Sequence, residues 1–355
     1  MKRPRFPRSP LLRLAIVPPF IGLAAFLLWW HGPDWGQVAD VFTVVRWEWV
    51  IAAVGLNLLS VVVRAFAWRE VITQAMPEPH PRFSIIFSAF CVGLFANAVL
   101  PGRVGELARV AVLTRRLAGR QGVWATLVGT VFAHRLFDLV PSLILVGWVL
   151  VTAKIPGWAM TSLIALACIG ALLVVVGLVA ARRHSGSTRV EHGLGPVRRV
   201  VTMARFGLGV LRAPVPALLA LLFQCLGWLC QLFAVWAAMR AFHIYEPLPA
   251  AGLVLVLMNI ATILPLWPGN VGLVQAAIAL PLRQYGVAYA KGIAFGFGLA
   301  AIEASVGVGV GLIFLAREGL SFAMLRVMPD ATRAEVPQEA MEPHPPKKRR
   351  ERVAG

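Results

Sequence analysis

Six apolar runs dominate this chain: Leu11–Trp30, Val50–Trp68, Val123–Val151, Ala159–Ala181, Pro214–Met239 and Lys291–Ala316. A helix needs about 20 apolar residues to cross roughly 30 Å of hydrocarbon. Each run meets that length. A segment without water around it must satisfy its backbone internally, and an unalternating apolar run does so as a helix. The 355 residues are 59% hydrophobic and 14% charged, whereas soluble domains carry about 25% charge. Lipid is therefore the solvent for most of the surface, and an all-α polytopic membrane fold is expected. The basic N-terminus before Leu11 resembles a signal peptide. The run ends in Leu-Leu-Trp-Trp-His without a small-residue cleavage site, so it is read as a retained first helix.

Two further apolar segments are interrupted. Phe83–Leu100 runs into Pro101-Gly102-Arg103-Val104-Gly105-Glu106, and Ala250–Leu266 runs into Pro268-Gly269-Asn270-Val271-Gly272. After each break comes a half-helix, Val104–Leu113 or Val271–Leu280, of about ten residues and roughly 15 Å. That reaches only half way across. Charge asymmetry then orients the chain, because basic residues collect on the cytoplasmic side. With both termini cytoplasmic and 83–114 and 250–282 treated as opposed re-entrant hairpins, 24 of the 34 Lys and Arg fall inside. Five (Arg46, Lys154, Arg240, Arg283, Lys291) fall outside, and five (Arg13, Arg64, Arg103, Arg109, Arg135) within membrane segments. Six spanning helices plus two hairpins fit these charges best. The expected organisation is a basic tail 1–10, a membrane domain 11–320 with a cytoplasmic loop 182–213, and a disordered basic tail 321–355.

The net charge of +18 sits in termini and short connections, where anionic lipid head groups meet it. This argues for membrane lipids as partners, not nucleic acid. Cys91, Cys168, Cys225 and Cys230 lie in apolar stretches without a CxxC pair, so neither a disulfide framework nor a metal site is expected. No cofactor is expected either. No G-x-x-x-x-G-K-[ST], H-E-x-x-H or G-x-S-x-G occurs. The chain is expected not to be an enzyme, and not to drive an ATP-powered pump alone.

The repeated Pro-Gly-x-Val-Gly is the strongest chemical signal. Proline removes a backbone donor and glycine permits tight turns. At membrane depth such a break is tolerated only against protein or a water-filled cavity. The half-helix after it presents unpaired N–H groups and a positive dipole end. Two such ends entering from opposite faces form a mid-membrane site suited to an anion, the inverted-repeat logic of secondary transporters. The competing reading is that Pro-Gly merely kinks packed helices.

Arg103, Glu106 and Arg109 follow the first break close to one helix face. Each ionised group in hydrocarbon costs at least about 2.5–3.5 kcal/mol, so they need partners or water. Arg103 suits bidentate phosphate binding. Glu106 orients an arginine or takes up a proton. The alternative is a self-satisfied salt-bridge cluster. In His134-Arg135-Leu136-Phe137-Asp138, Asp138 reaches back to His134 and Arg135 as a local neutralising set. Asp138 and the isolated Glu303 are also the natural counter-charges for Arg103 or Arg109. Asn97, Asn259, Thr262, Asn270 and Gln275 flank the breaks and are read as partners of freed backbone carbonyls. Gly292-x-x-x-Gly296 and Gly307-x-x-x-Gly311 permit close helix contact.

Asn97…Pro101-Gly102-Arg103-Val104-Gly105-Glu106…Arg109, then Arg135-x-x-Asp138, then Pro268-Gly269-Asn270-Val271-Gly272, resembles the lysylphosphatidylglycerol synthase transmembrane-domain family, or flippase-like-domain proteins. The resemblance covers about residues 11–320. It implies a bacterial or archaeal inner-membrane protein associated with lipid translocation. In bifunctional members the module passes aminoacylated phosphatidylglycerol to the outer leaflet, and an aminoacyl-transferase domain follows it. Here a short tail follows, so synthase activity is expected to be absent. Three positions depart from the family pattern: His134 replaces an acid, Gln275 a glutamate, and Ala300 with nearby Glu303 an arginine.

The reading that follows is a flippase-type carrier of an anionic lipid head group, phospholipid or polyprenyl-phosphate-linked, in the bacterial inner membrane. Its expected binding set is Asn97, Pro101, Gly102, Arg103, Gly105, Glu106, Arg109, Arg135, Asp138, Pro268, Gly269, Asn270, Gly272 and Glu303. Two alternatives come from other classes. One is a membrane-embedded lipid transferase using His134, Asp138 or Glu106. The other is a non-catalytic partner of a separate lipid or glycan synthase, recruited through loop 182–213 or the tail.

Overall fold

The computed structural model of the chain describes residues 34–76, 78–100, 104–117, 123–182, 213–263 and 270–318. The expected first helix Leu11–Trp30, the tails, and loop 182–213 apart from its ends lie outside these residues, as do Pro101, Gly102, Arg103, Pro268 and Gly269. Among the described residues the chain is helical, without a strand.

Among the described residues, five helices are long and apolar enough to cross a membrane. We label them in chain order with the shorter ones: α1 Trp35–Thr43, α2 Trp47–Ala75, α3 Phe83–Val99, α4 Gly105–Arg116, α5 Val123–Thr152, α6 Gly157–Arg182, α7 Pro214–Ala241, α8 Leu248–Ile263, α9 Leu273–Leu282 and α10 Tyr289–Arg317. The spans are α2, α5, α6, α7 and α10. They correspond to the last five of the six runs: α2 runs three residues further at its start and seven at its end, and the other four differ by two residues or fewer at either end. α6 has only 17% of its most apolar window buried against protein, whereas α7 has 44%. The row Ile169, Leu172, Leu173, Val175 and Val176 on α6 is exposed. An apolar face of that extent suits lipid, and among the described residues α6 offers more of it than α7 does.

Both interrupted segments are helix pairs. The first is α3 with α4, and the second is α8 with α9. The half-helices begin one or two residues later than expected and run two or three residues further.

α1 is a correction, since 31–49 reads from sequence as an outer loop. Its nine residues are too few to span and too mixed in polarity to stand out. A side-chain cap starts it: Asp34 accepts from the Gly36 N–H at 2.9 Å and the Gln37 N–H at 3.3 Å, filling donors a helix start leaves open. Val38 is buried against Ala279, Ala290, Ile293 and Ala294. Phe42 meets Phe242 edge-on at 5.6 Å.

The chain divides into two compact units. The first comprises Met1–Arg64, Leu136–Val179 and Leu221–Val306, the second Ala65–Arg135, Ala180–Ala220 and Gly307–Gly355. The second Pro-Gly motif belongs to the first unit, and the first motif to the second unit. All five basic residues expected outside, Arg46, Lys154, Arg240, Arg283 and Lys291, belong to the first unit. Arg69, Arg82, Arg115 and Arg116, expected inside, belong to the second.

Glycine lets each helix pair dock closely, since helices in lipid associate through small residues rather than a hydrophobic drive. In the first unit, a Cβ on Gly292 would stand 2.9 Å from Ala279 Cα, and one on Gly296 3.0 Å from Gln275 Cα. In the second, a Cβ on Gly311 would stand 3.0 Å from the Cys91 carbonyl and would overlap Phe95. Both Gly-x-x-x-Gly pairs of α10 thus serve contacts within this chain.

Candidate functional site

The break between α3 and α4 is closed by its own side chains. Gly105 N–H donates to Asn97 Oδ1 at 2.8 Å. Gly93 lies opposite: a Cβ there would sit 2.9 Å from the Gly105 carbonyl and 3.0 Å from Arg109 Cβ. A Cβ on Gly105 would overlap the Gly93 carbonyl and fall 2.5 Å from the Asn97 amide carbon. Backbone therefore meets backbone at this crossing, which only glycine allows. The N–H of Gly105 is already spent, which corrects the expectation that the first amides after the break stand open for an anion.

This crossing sets the charged residues of the second unit. Glu106, in the first turn of α4, pairs with Arg109 through one carboxylate oxygen and with Arg135 of α5 through the other. Arg109 is only 4% exposed. Its guanidinium lies 4.6 Å from the Trp68 ring centre and 5.5 Å from that of Phe90, faces that attract a cation. Trp68 is fixed by donating Nε1–H to Thr130 Oγ1 at 3.2 Å. Phe90 also meets the buried His134 ring edge-on at 6.1 Å. The Arg135 side chain, in contrast, is 50% exposed. Arg109 and Arg135 thus share Glu106, with Arg135 at the accessible edge. Glu318 braces the same unit, accepting from Ser88 Oγ at 2.7 Å and Arg116 Nε at 2.8 Å.

Arg109 takes a different counter-charge from that expected: Glu106 on its own helix pairs with it, and Asp138 faces Arg64. In the first unit, Asp138 Oδ1 accepts from Trp228 Nε1 at 2.7 Å and Gln224 Nε2 at 3.0 Å, with Arg64 Nη1 3.9 Å away. Arg64 Nη2 donates to Gln231 Oε1 at 2.9 Å. Glu303, on α10 of the same unit, is half-buried. The Arg64 guanidinium lies 5.1 Å from the Trp228 ring centre. Gly227 leaves room for its stem, since a Cβ there would sit 2.7 Å from Arg64 Cγ. Ser60 Oγ holds the two helices together by donating to the Gly227 carbonyl at 2.8 Å.

The second motif is also held by amides. Asn270 Nδ2 donates to the Ala261 carbonyl at 2.8 Å, and Gly272 N–H donates to Gln275 Oε1 at 2.6 Å. Asn270 has φ +44° and Gly272 φ +91°, a region asparagine and glycine enter most readily. Asn270 and Gln275 are buried. The expected carbonyl partnership holds for Asn270, whereas Gln275 and Asn97 accept from N–H groups. Asn259 and Thr262 donate to carbonyls of their own helix, those of Leu255 and Asn259.

Of the expected binding set, the second unit by itself brings together Asn97, Gly105, Glu106, Arg109 and Arg135. The first unit holds Asp138, Glu303, Asn270 and Gly272. Sequence reasoning missed the roles of Arg64, Gln224, Trp228 and Gln231. A signal existed: Gln224, Trp228 and Gln231 recur at i, i+4 and i+7 on apolar α7, one helix face. Gly93 and Trp68 carried no such mark.

Long apolar helices, glycine-mediated packing and two charged clusters carried on them define a multi-pass integral membrane protein. The chain belongs to the family described as lysylphosphatidylglycerol synthase TM region, whose model matches residues 11–322. Comparisons with curated proteins and with solved structures return no match.

Proposed function

We propose that this protein binds the phosphate-bearing head group of an anionic lipid and carries it between the leaflets of a bacterial inner membrane. The observation that carries the reading is Arg135, whose guanidinium is held by Glu106 beside the first break and is half exposed. A lipid phosphate is an anion that an accessible guanidinium matches in a bidentate fork. Arg109, buried under Trp68, fixes Glu106. Arg135 is the hand that reaches the ligand, joined by Arg103 from the motif itself.

On this reading α3–α4 and α8–α9 are re-entrant hairpins from opposite faces, with both termini cytoplasmic. The distribution of Lys and Arg along the sequence, 24 expected inside and 5 outside, supports that orientation under the positive-inside rule. The protein acts as a carrier and not as an enzyme. Native mass spectrometry of co-purified lipids tests the binding step. Wild type retains phosphatidylglycerol or a polyprenyl phosphate over zwitterionic lipid, and Arg135→Gln or Arg103→Gln loses most of it. Equal retention by all three proteins overturns the assignment.

A further inference from the structure

A cavity of about 320 Å³ opens in the first unit, built from residues that belong to neither charged cluster. Pro156 and Trp158 line it from the start of α6, and Leu280, Arg283 and Gln284 from the end of α9 and the turn after it. Short-range bonds hold both walls. The Pro156 carbonyl accepts from the Ala159 and Met160 N–H groups at 2.9 and 3.1 Å, which starts α6. The Leu282 and Arg283 carbonyls accept from the Val287 N–H at 3.2 Å and the Gly286 N–H at 3.0 Å, which closes the turn after α9. Lys154 N–H donates to Tyr285 Oη at 2.7 Å and ties one wall to the other.

The lining is divided by polarity. Pro156, Trp158 and Leu280 offer apolar surface, Arg283 and Gln284 a guanidinium and an amide, and none of the five is an acid. Trp158, Arg283 and Gln284 are exposed. A second, independent observation lies along α6. Ser162, Ala165, Ile169, Leu172 and Val176 follow Trp158 at i+4, i+7, i+11, i+14 and i+18, and every one is exposed. That spacing is one helix face. A cavity with a cation on its polar side therefore stands at the head of an open, almost wholly apolar stripe.

We infer that the pocket and the stripe together hold one resident phospholipid of net negative charge. Arg283 takes the phosphate in a bidentate fork. Gln284 donates to the remaining head-group oxygens, and the Trp158 ring lies at interfacial depth, where tryptophan is favoured. An acyl chain spans about 15 Å, half of the roughly 30 Å of hydrocarbon. About eleven residues of helix supply that length at 1.5 Å each, which carries the chain from Trp158 to Ile169. A soluble anion accounts for Arg283 but leaves the stripe without a use; an amphiphile accounts for both. The inference does not rest on the lipid-carrying reading, since these residues belong to the first unit and Arg135 to the second. The stripe is open along its length, so detergent chains replace this lipid, and the site has to be tested in a bilayer.

Photolabelling of the full chain in phosphatidylcholine nanodiscs tests it, with a trace of phosphatidylglycerol carrying a diazirine midway along one acyl chain. Peptide mapping should find the label on α6 between residues 157 and 169, well above that left by phosphatidylcholine with the same diazirine chain. Arg283→Gln should lower it about tenfold, for one lost charged contact, and Trp158→Ala should lower it as well. Arg135→Gln should leave it unchanged, so failure here and failure of the Glu106 cluster are told apart. Inorganic phosphate, with ionic strength matched by chloride, should not displace the lipid. Equal labelling by the two lipids, or labelling unmoved in Arg283→Gln, overturns the proposal. So does loss of the label in Arg135→Gln, or displacement by inorganic phosphate, which would assign the pocket to a free anion.

Discussion

The two units hold their charged residues differently. In the second, Glu106 pairs with Arg109 and Arg135, and the Arg135 side chain stays 50% exposed. In the first, Arg64 faces Asp138 and Gln231, with the Arg64 and Asp138 side chains only 19% and 14% exposed. Arg135 and Asp138 are three residues apart on α5, yet the pairs they make lie in different units. Position along a helix does not assign a charged residue its partner; the helix it faces does. The difference is one of access: the Arg135 guanidinium is open to a ligand, and Arg64 is turned inward.

The comparison can be broken most severely at Glu106. Glu106→Gln strands the buried Arg109 without its counter-charge, which should cost about 3–5 kcal/mol, as breaking a buried pair does. Arg135→Gln, at the exposed edge, should cost less than about 1 kcal/mol. Thermal unfolding in detergent compares the two; equal losses would mean that Arg135 is as structural as Arg109.

The breaks themselves come next. Gly105→Ala drives a methyl into the Gly93 carbonyl and the Asn97 amide, and should cost about 1–3 kcal/mol through overpacking. Gly272→Ala meets open space but keeps a φ of +91°, so its cost is backbone strain alone, about 1–2 kcal/mol. A shift of the relief pattern would show: moving Gly93 to a still smaller contact is impossible, so no second-site change at 93 should rescue Gly105→Ala. Isolating such a rescue would contradict the backbone crossing.

Asn97→Ala and Asn270→Ala each leave one buried backbone group unpaired, the Gly105 N–H and the Ala261 carbonyl, for about 1–2 kcal/mol. Similar losses in chemical denaturation would sharpen the parallel between the two breaks. A negligible loss at either would remove it. Smallest of all is Glu48→Gln, which breaks an exposed pair with Arg46 and should leave the melting temperature unchanged.

Much of this was legible in the sequence. Length and apolarity located the five described spans, because a helix that faces lipid has little freedom in composition. Pro-Gly located both helix breaks for the same reason. The nearness of Glu106 to Arg109 followed from i, i+3 spacing. Partnerships across helices were not legible: nothing local tells that Arg64 meets Gln231 or that Arg135 turns to Glu106. Nor was α1, whose amphipathic nine residues carry neither a span nor a motif. The asparagines at the breaks were seen as polar, but only the fold shows that Asn97 accepts and Asn270 donates.

The central claim is that the half-exposed Arg135 guanidinium beside the first helix break engages a lipid phosphate. The leaflet distribution of a labelled anionic phospholipid in proteoliposomes tests it most directly. Wild-type protein should equilibrate the label, and Arg135→Gln, matched for folding, should slow it about tenfold for the roughly 1.4 kcal/mol of one lost charged contact. Identical rates for the two proteins would contradict the account.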